Sequence, residues 1–163
     1  MKKIIILLAG ILLFSNNLHK KAEYYYNIGN FKKALIFYSD SCKKGNYKDC
    51  LQAGDIYNYA KGVKTNYRKA YNFYLKACNH KIYKGCERMG ILFYNGSGIR
   101  KNYSKALYFL KKACFHNIAT ACYIVGNYYA YHSRKYKSAI FFYKKACIKG
   151  DILGCFAKNK RTW

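Results

Sequence analysis

Ala34, Phe37, Tyr38 and Ser41 recur at intervals of three, four and seven residues, which puts all four on one face of a helix over Phe31 to Lys43. Ala70, Phe73, Tyr74 and Ala77 form the same pattern one copy later. The small residues permit close approach and the aromatics fill the gaps. Upstream, Ala22, Tyr24, Tyr25, Tyr26 and Ile28 mark another helix over His19 to Ile28, broken at Gly29-Asn30. The chain turns at Lys44-Gly45-Asn46 and Lys149-Gly150-Asp151, where glycine takes a positive φ at little cost. A second type of connection, Ala60-Lys61-Gly62-Val63 or Asn95-Gly96-Ser97-Gly98-Ile99, is expected to turn Val63 and Ile99 inward. In the last copy it shrinks to the loop Tyr131-His132-Ser133-Arg134. Gly54, Gly90 and Gly126 fall inside the first helix of three hairpins, where a glycine costs about 1 kcal/mol relative to alanine. Their recurrence points to a neighbouring helix backbone passing close by.

These elements belong to a repeat. Glu87 to Cys122 overlays Leu51 to Cys86, with Gly90 on Gly54, Tyr103 on Tyr67, Ala106 on Ala70, Phe109 on Phe73 and Cys114 on Cys78. A third copy runs from Tyr123 to Cys155, and a fourth, earlier one carries Phe31, Ala34, Phe37, Cys42 and Cys50. The expected architecture is all-α: a single solenoid of αα hairpins over residues 19–157, in copies of about 19–50, 51–86, 87–122 and 123–155, with a basic tail over 158–163. Solenoids close their ends with polar units, and the hairpin at Cys155 begins a helix too short to complete one. The uncapped carboxy-terminal end is thus a candidate surface for self-association.

Cysteine usage and charge add a setting. Cys42 and Cys50, Cys78 and Cys86, Cys114 and Cys122, and Cys147 and Cys155 are each eight apart. One unit repeated four times favours local disulfides over the many other pairings. Each such closure removes about 2.5 kcal/mol of unfolded-state entropy in the chain-entropy model, so four approach roughly 10 kcal/mol. Zinc is the rival reading at Cys78-Asn79-His80 and Cys114-Phe115-His116, but a structural zinc needs four ligands and each copy supplies at most three. No metal and no cofactor is assigned. Met1-Lys2-Lys3 followed by the apolar run Ile4 to Phe14 reads as a secretory signal peptide over residues 1–16, too short to span a bilayer. The expectation is a secreted or periplasmic protein with no stable membrane insertion. The formal charge of +25 attracts anions; the rival reading, a solvated lysine face with no partner, does not explain the scarcity of Asp and Glu.

Gly90, the loop Tyr94-Asn95-Gly96-Ser97-Gly98-Ile99, then Asn102-Tyr103-Ser104-Lys105-Ala106, Phe109, Lys112-Ala113-Cys114 and a cysteine eight later resemble a Sel1-like repeat. More narrowly, the pattern is similar to the small cysteine-rich Sel1-like repeat proteins secreted by bacteria, the Hcp type, over Phe31 to Cys155. Three departures stand out: Asn66 and Asn102 occupy a position where that family commonly has an acid, Ala60 replaces the first loop glycine, and the opening copy lacks the extended loop. The resemblance implies a TPR-like hairpin solenoid, and for some members penicillin binding and β-lactamase activity, or engagement of host cells.

The residues themselves name no hydrolase. Ser41-Cys42-Lys43-Lys44 matches Ser-x-x-Lys, but no Ser-Asp-Asn or Lys-Thr-Gly accompanies it, and Ser41 fills the column of Ala77, Ala113 and Ala146. No catalytic residue is assigned. His80 and His116 stand one repeat apart, too far to share a metal. Asp55 and Glu87 read as solvated helix surface. A binding function needs less. The first helices of αα solenoids line the concave side, where Asp55, Asn58, Glu87, Ile91, Tyr94, Tyr123 and Asn127 would form a groove of amide, tyrosine and apolar groups. Its expected partner is a protein, a peptide, or a cell-wall or other anionic glycan. Nucleic acid is not expected, because the aromatics that alternate with lysine fall on buried helical faces rather than exposed ones.

Overall fold

The computed structural model describes residues 17–159. The leader read at residues 1–16 and the end of the basic tail lie outside them. Every regular element among the described residues is helical. The chain divides after Ile82 into two compact units. The first contains α1 over residues 17–27, α2 (Phe31–Lys43), α3 (Tyr47–Asn58) and α4 (Tyr67–Asn79). The second contains α5 (Tyr83–Asn95), α6 (Tyr103–Phe115), α7 (Ala119–Asn127) with a wide π turn at Tyr128–His132, α8 (Tyr136–Ile148) and α9 (Ile152–Ala157).

Local chemistry sets the helix ends. Asn30, Asn66 and Asn102 precede α2, α4 and α6, and each side-chain oxygen accepts from the backbone N–H three residues on. An asparagine oxygen serves a helix start as well as a carboxylate does, so Asn66 and Asn102 cap their helices as an acid there would. Each even-numbered helix from α2 to α8 closes in the same way. A residue at positive φ follows the cap, and the next N–H reaches back to Ser41, Ala77, Ala113 or Ala146 at 3.0–3.1 Å, a Schellman closure. The positive-φ column reads Gly45, Lys81, Asn117 and Gly150.

Disulfides join α2 to α3 (Cys42–Cys50), α6 to α7 (Cys114–Cys122) and α8 to α9 (Cys147–Cys155), at Cα separations of 4.8, 4.6 and 4.5 Å. Cys78 and Cys86 are disulfide-bonded too, and no described cysteine is free.

Aromatic pairs hold each hairpin. Tyr25 stacks on Phe37 and Tyr57 on Phe73 in the first unit, and Phe93 stacks on Phe109 and Tyr129 on Phe142 in the second, with centroids 5.5–6.1 Å apart. A lysine covers the first ring of each pair at 5.0–5.5 Å: Lys33, Lys69, Lys105 and Lys111. Those lysines cover apolar surface while keeping their charge near water.

The helical glycines serve a purpose other than the one expected. A Cβ on Gly54 would lie 2.5 Å from the Tyr74 ring, on Gly90 2.5 Å from Leu110, and on Gly126 2.6 Å from the Tyr143 ring. The close neighbour is thus chiefly a side chain of the hairpin's other helix laid flat on the glycine, not a backbone. The last copy also departs from the expected loop. Tyr131 and His132 stay helical, because α7 runs on through the π turn before the chain turns at Ser133. With the connection three residues shorter, the extra helical residues span the distance, and the wide turn keeps Ala130 buried and Tyr129 on Phe142. Val63 packs partly buried on the first unit's core, turned inward as its loop predicts.

Candidate functional site

The seven first-helix positions divide between the units, Asp55 and Asn58 in the first and Glu87, Ile91, Tyr94, Tyr123 and Asn127 in the second. In α3, Asp55 accepts a hydrogen bond from the Tyr74 hydroxyl at 2.7 Å; in α7, Asn127 accepts one from the Tyr143 hydroxyl at 2.8 Å. Both rings lie on the preceding glycine, which brings the phenol to the next residue along. In the middle copy the same two positions are Ile91 of α5 and Leu110 of α6, apolar together. Asp55, Ile91 and Asn127 thus answer the residue that their partner helix presents. Tyr143 is held neutral, since burial first and then Tyr131, Tyr123 and Tyr94 push its pKa up. It therefore donates, and this orients the Asn127 amide with Oδ1 inward.

Glu87 differs most from its expected place on a solvated surface. It is 1% exposed. Lys84 Nζ lies 2.6 Å from Oε2, Arg88 Nη1 lies 3.6 Å from it, and the Thr120 hydroxyl donates to Oε1. Lys84 is one helical turn before Glu87, and Thr120 comes from α7. A carboxylate buried with these partners ties two helices together and is closed to a ligand. Asn58 is half-buried at the end of α3.

Tyr94 enters a ring cluster of the second unit. Its centroid is 5.3 Å from Tyr103 and 5.9 Å from His132, and its hydroxyl is 3.1 Å from His132 Nε2. Tyr128 stacks on His132 at 5.6 Å, so the π turn supplies two of the four rings. Burial, then Tyr103 and Tyr128, raises the Tyr94 pKa. In this cluster the rings fill one another's faces.

Tyr123 and Asn127 do line an opening. They form, with Tyr131 and Tyr143, one wall of a pocket of about 170 Å³ whose other wall is Leu153, Phe156 and Ala157 of α9. Tyr131 stands eight residues after Tyr123 on a helix that the sequence appears to end sooner, which hid its membership. The α9 side chains belong to a stretch that reads as the start of an incomplete hairpin. Tyr131, Leu153 and Phe156 are 61%, 58% and 72% exposed, so the pocket is edged by large apolar groups facing water.

The other residues weighed from the sequence are structural. Ser41 is fully buried beside the Cys42 disulfide. His80 lies parallel on Tyr47 at 3.5 Å, and His116 on Tyr83 at 3.6 Å. No helix among the described residues is long and apolar enough to cross a membrane.

Among solved structures, a Sel1 repeat protein from Oxalobacter formigenes matches 88% of this chain with a TM-score of 0.78 at 20% identity. The protective antigen c5321 of uropathogenic Escherichia coli matches 88% with a TM-score of 0.80 at 18% identity. The chain spans 62% and 32% of those two proteins, which show the solenoid fold alone. Cysteine rich protein B of Helicobacter pylori is 28% identical over 68% of this chain and 96% of its own, with a TM-score of 0.54. No curated protein matches. The Sel1 repeat model matches residues 49–81, 84–114 and 119–151. With three copies over more than half of its length, on an all-helical fold stapled by disulfides, this chain belongs to the Sel1 repeat family.

Proposed function

We propose that this chain is an exported, disulfide-stapled scaffold that binds an extended anionic partner. Bonded cysteines belong to an oxidising compartment, and Sel1 repeats mediate protein–protein interaction. The apolar run at Ile4 to Phe14 supports export.

The observation that carries the anionic partner is where the carboxylates go. The second unit has two, Glu87 and Asp151. Glu87 is buried and paired, while Asp151 caps α9 by accepting from the Gly154 N–H at 2.7 Å. Both negative charges are thus engaged internally, whereas Arg100, Lys101, Lys105, Lys135, Lys137 and Lys144 are exposed. A surface of one sign raises the local concentration of the opposite charge and speeds its arrival.

The test is retention of the oxidised protein on immobilised poly-L-glutamate, hyaluronate and cell-wall fragments at low and high salt. Retention of at least one at low salt, weakened at high salt, is expected. Failure to hold any of the three at low salt would overturn the reading.

A further inference from the structure

The pocket between α7 and α9 identifies the partner's chemistry more closely, and this step rests on the anionic reading above. At about 170 Å³ it is smaller than the roughly 300–1,000 Å³ of sites that enclose whole small molecules, and it has room for about one side chain. Its walls are mostly carbon. The rings of Tyr123, Tyr131 and Phe156 and the aliphatic Leu153 surround it, and three of these four are among the large apolar groups most exposed to water. A guest that covers them removes apolar surface from solvent, which is the main source of affinity at a concave site.

The Asn127 side chain can orient that guest. The Asn127 Oδ1 is occupied by the Tyr143 hydroxyl, and the other end of the amide has no partner among the described residues. An amide N–H at the rim of an apolar pocket suits a backbone carbonyl next to an inserted side chain. A sugar ring carries hydroxyls around its whole edge and would strand several of them against Leu153, Phe156 and Ala157, each at a desolvation cost. Among the described residues of the second unit the two side-chain carboxylates, Glu87 and Asp151, are engaged internally, while Lys137 and Lys144 are exposed.

We infer that the pocket of Tyr123, Asn127, Tyr131, Leu153 and Phe156 seats one aromatic side chain of an acidic polypeptide segment, with the Asn127 amide on a neighbouring carbonyl and the exposed cations of the second unit drawing its carboxylates. The partner is therefore a protein, recognised by an aromatic residue set among Asp and Glu.

Three fluorescent probes decide this against the oxidised protein: a peptide of alternating Asp and Glu with a central Phe, the same peptide with Ala, and a hyaluronate oligosaccharide. Burial of one aromatic side chain is expected to make the Phe peptide at least about tenfold tighter than the Ala peptide. Leu153→Lys should erase that ratio and leave the affinity for the Ala peptide unchanged or slightly better. Its circular dichroism and melting temperature report whether the variant is folded, and the Phe-to-Ala ratio on the unmodified protein needs no variant. Equal affinity for the two peptides would refute the pocket while leaving the charge-based reading standing. Hyaluronate binding more tightly than the Phe peptide would refute the polypeptide assignment. Binding of none of the three would defeat both readings.

Discussion

Replacing Gly54 by alanine should destabilise the first unit despite improving its helix propensity. A Cβ at that position sits 2.5 and 2.7 Å from two carbons of the Tyr74 ring, about 1 Å inside ordinary carbon contact. The ring has nowhere to go. Tyr74 is fully buried, and its hydroxyl is anchored on Asp55. Overpacking of this kind costs about 1–3 kcal/mol. Displacing the phenol also weakens a hydrogen bond to a carboxylate worth about 1.5 kcal/mol. Against these stands a helix-propensity gain of about 1 kcal/mol. The net expectation is a loss of about 2 kcal/mol, read from urea unfolding with disulfides intact. A cycle with Asp55→Ala sharpens the test. If the methyl group has already pulled the phenol away, Asp55→Ala costs about 1 kcal/mol less in the Gly54→Ala background than alone. A Gly54→Ala protein as stable as the parent, or two substitutions that simply add, would refute the reasoning.

Three further outcomes follow from the same structure. Replacing Cys114 and Cys122 together by serine should cost about 2.5 kcal/mol, seen as a lower melting temperature under oxidising conditions that reducing agent no longer changes at this site. Ala60 holds φ +54°, where an L side chain costs about 1–2 kcal/mol, so Ala60→Gly should stabilise by up to about 1 kcal/mol after the entropy of a freer unfolded chain is subtracted; a loss of stability in thermal melts would contradict this. Burial, then Asp49, Glu23 and Tyr26, pushes Tyr38 up to about 12, and Tyr143 is raised as well. Because the folded state holds these phenolic protons more tightly, their contribution is complete below about pH 10 and is lost as pH rises through the folded values. An ultraviolet phenolate titration should therefore show two late tyrosines that ionise together with unfolding, and early ionisation of all tyrosines would count against it.

Residues whose role depends on a partner in another helix are harder to read along the chain than residues whose role is local. Phe31 to Lys43 is a helix with the bounds its periodicity indicates, and the Gly45 and Gly150 turns adopt positive φ where glycine marks them. Asn102 announces its capping role through its place just before a helical run. Glu87, by contrast, looks like any exposed acid until Thr120, 33 residues on, is seen to donate to it. Asp55 and Asn127 look like groove residues until Tyr74 and Tyr143 are placed against them, although the matched change to Ile91 and Leu110 in the middle copy was a visible clue.

By itself, then, the amino-acid sequence determined the helices, their turns, the repeat and the cysteine ladder, because each depends on residues within a turn or two of one another, and a repeated spacing states those relations several times over. Only the tertiary structure decided which first-helix side chains are already engaged and which still face water. That outcome depends on partners brought in from 16 to 33 residues away and on one wide turn at Tyr128–His132 that resets the face of α7. Small differences in helix register change those partners, and no local pattern encodes them.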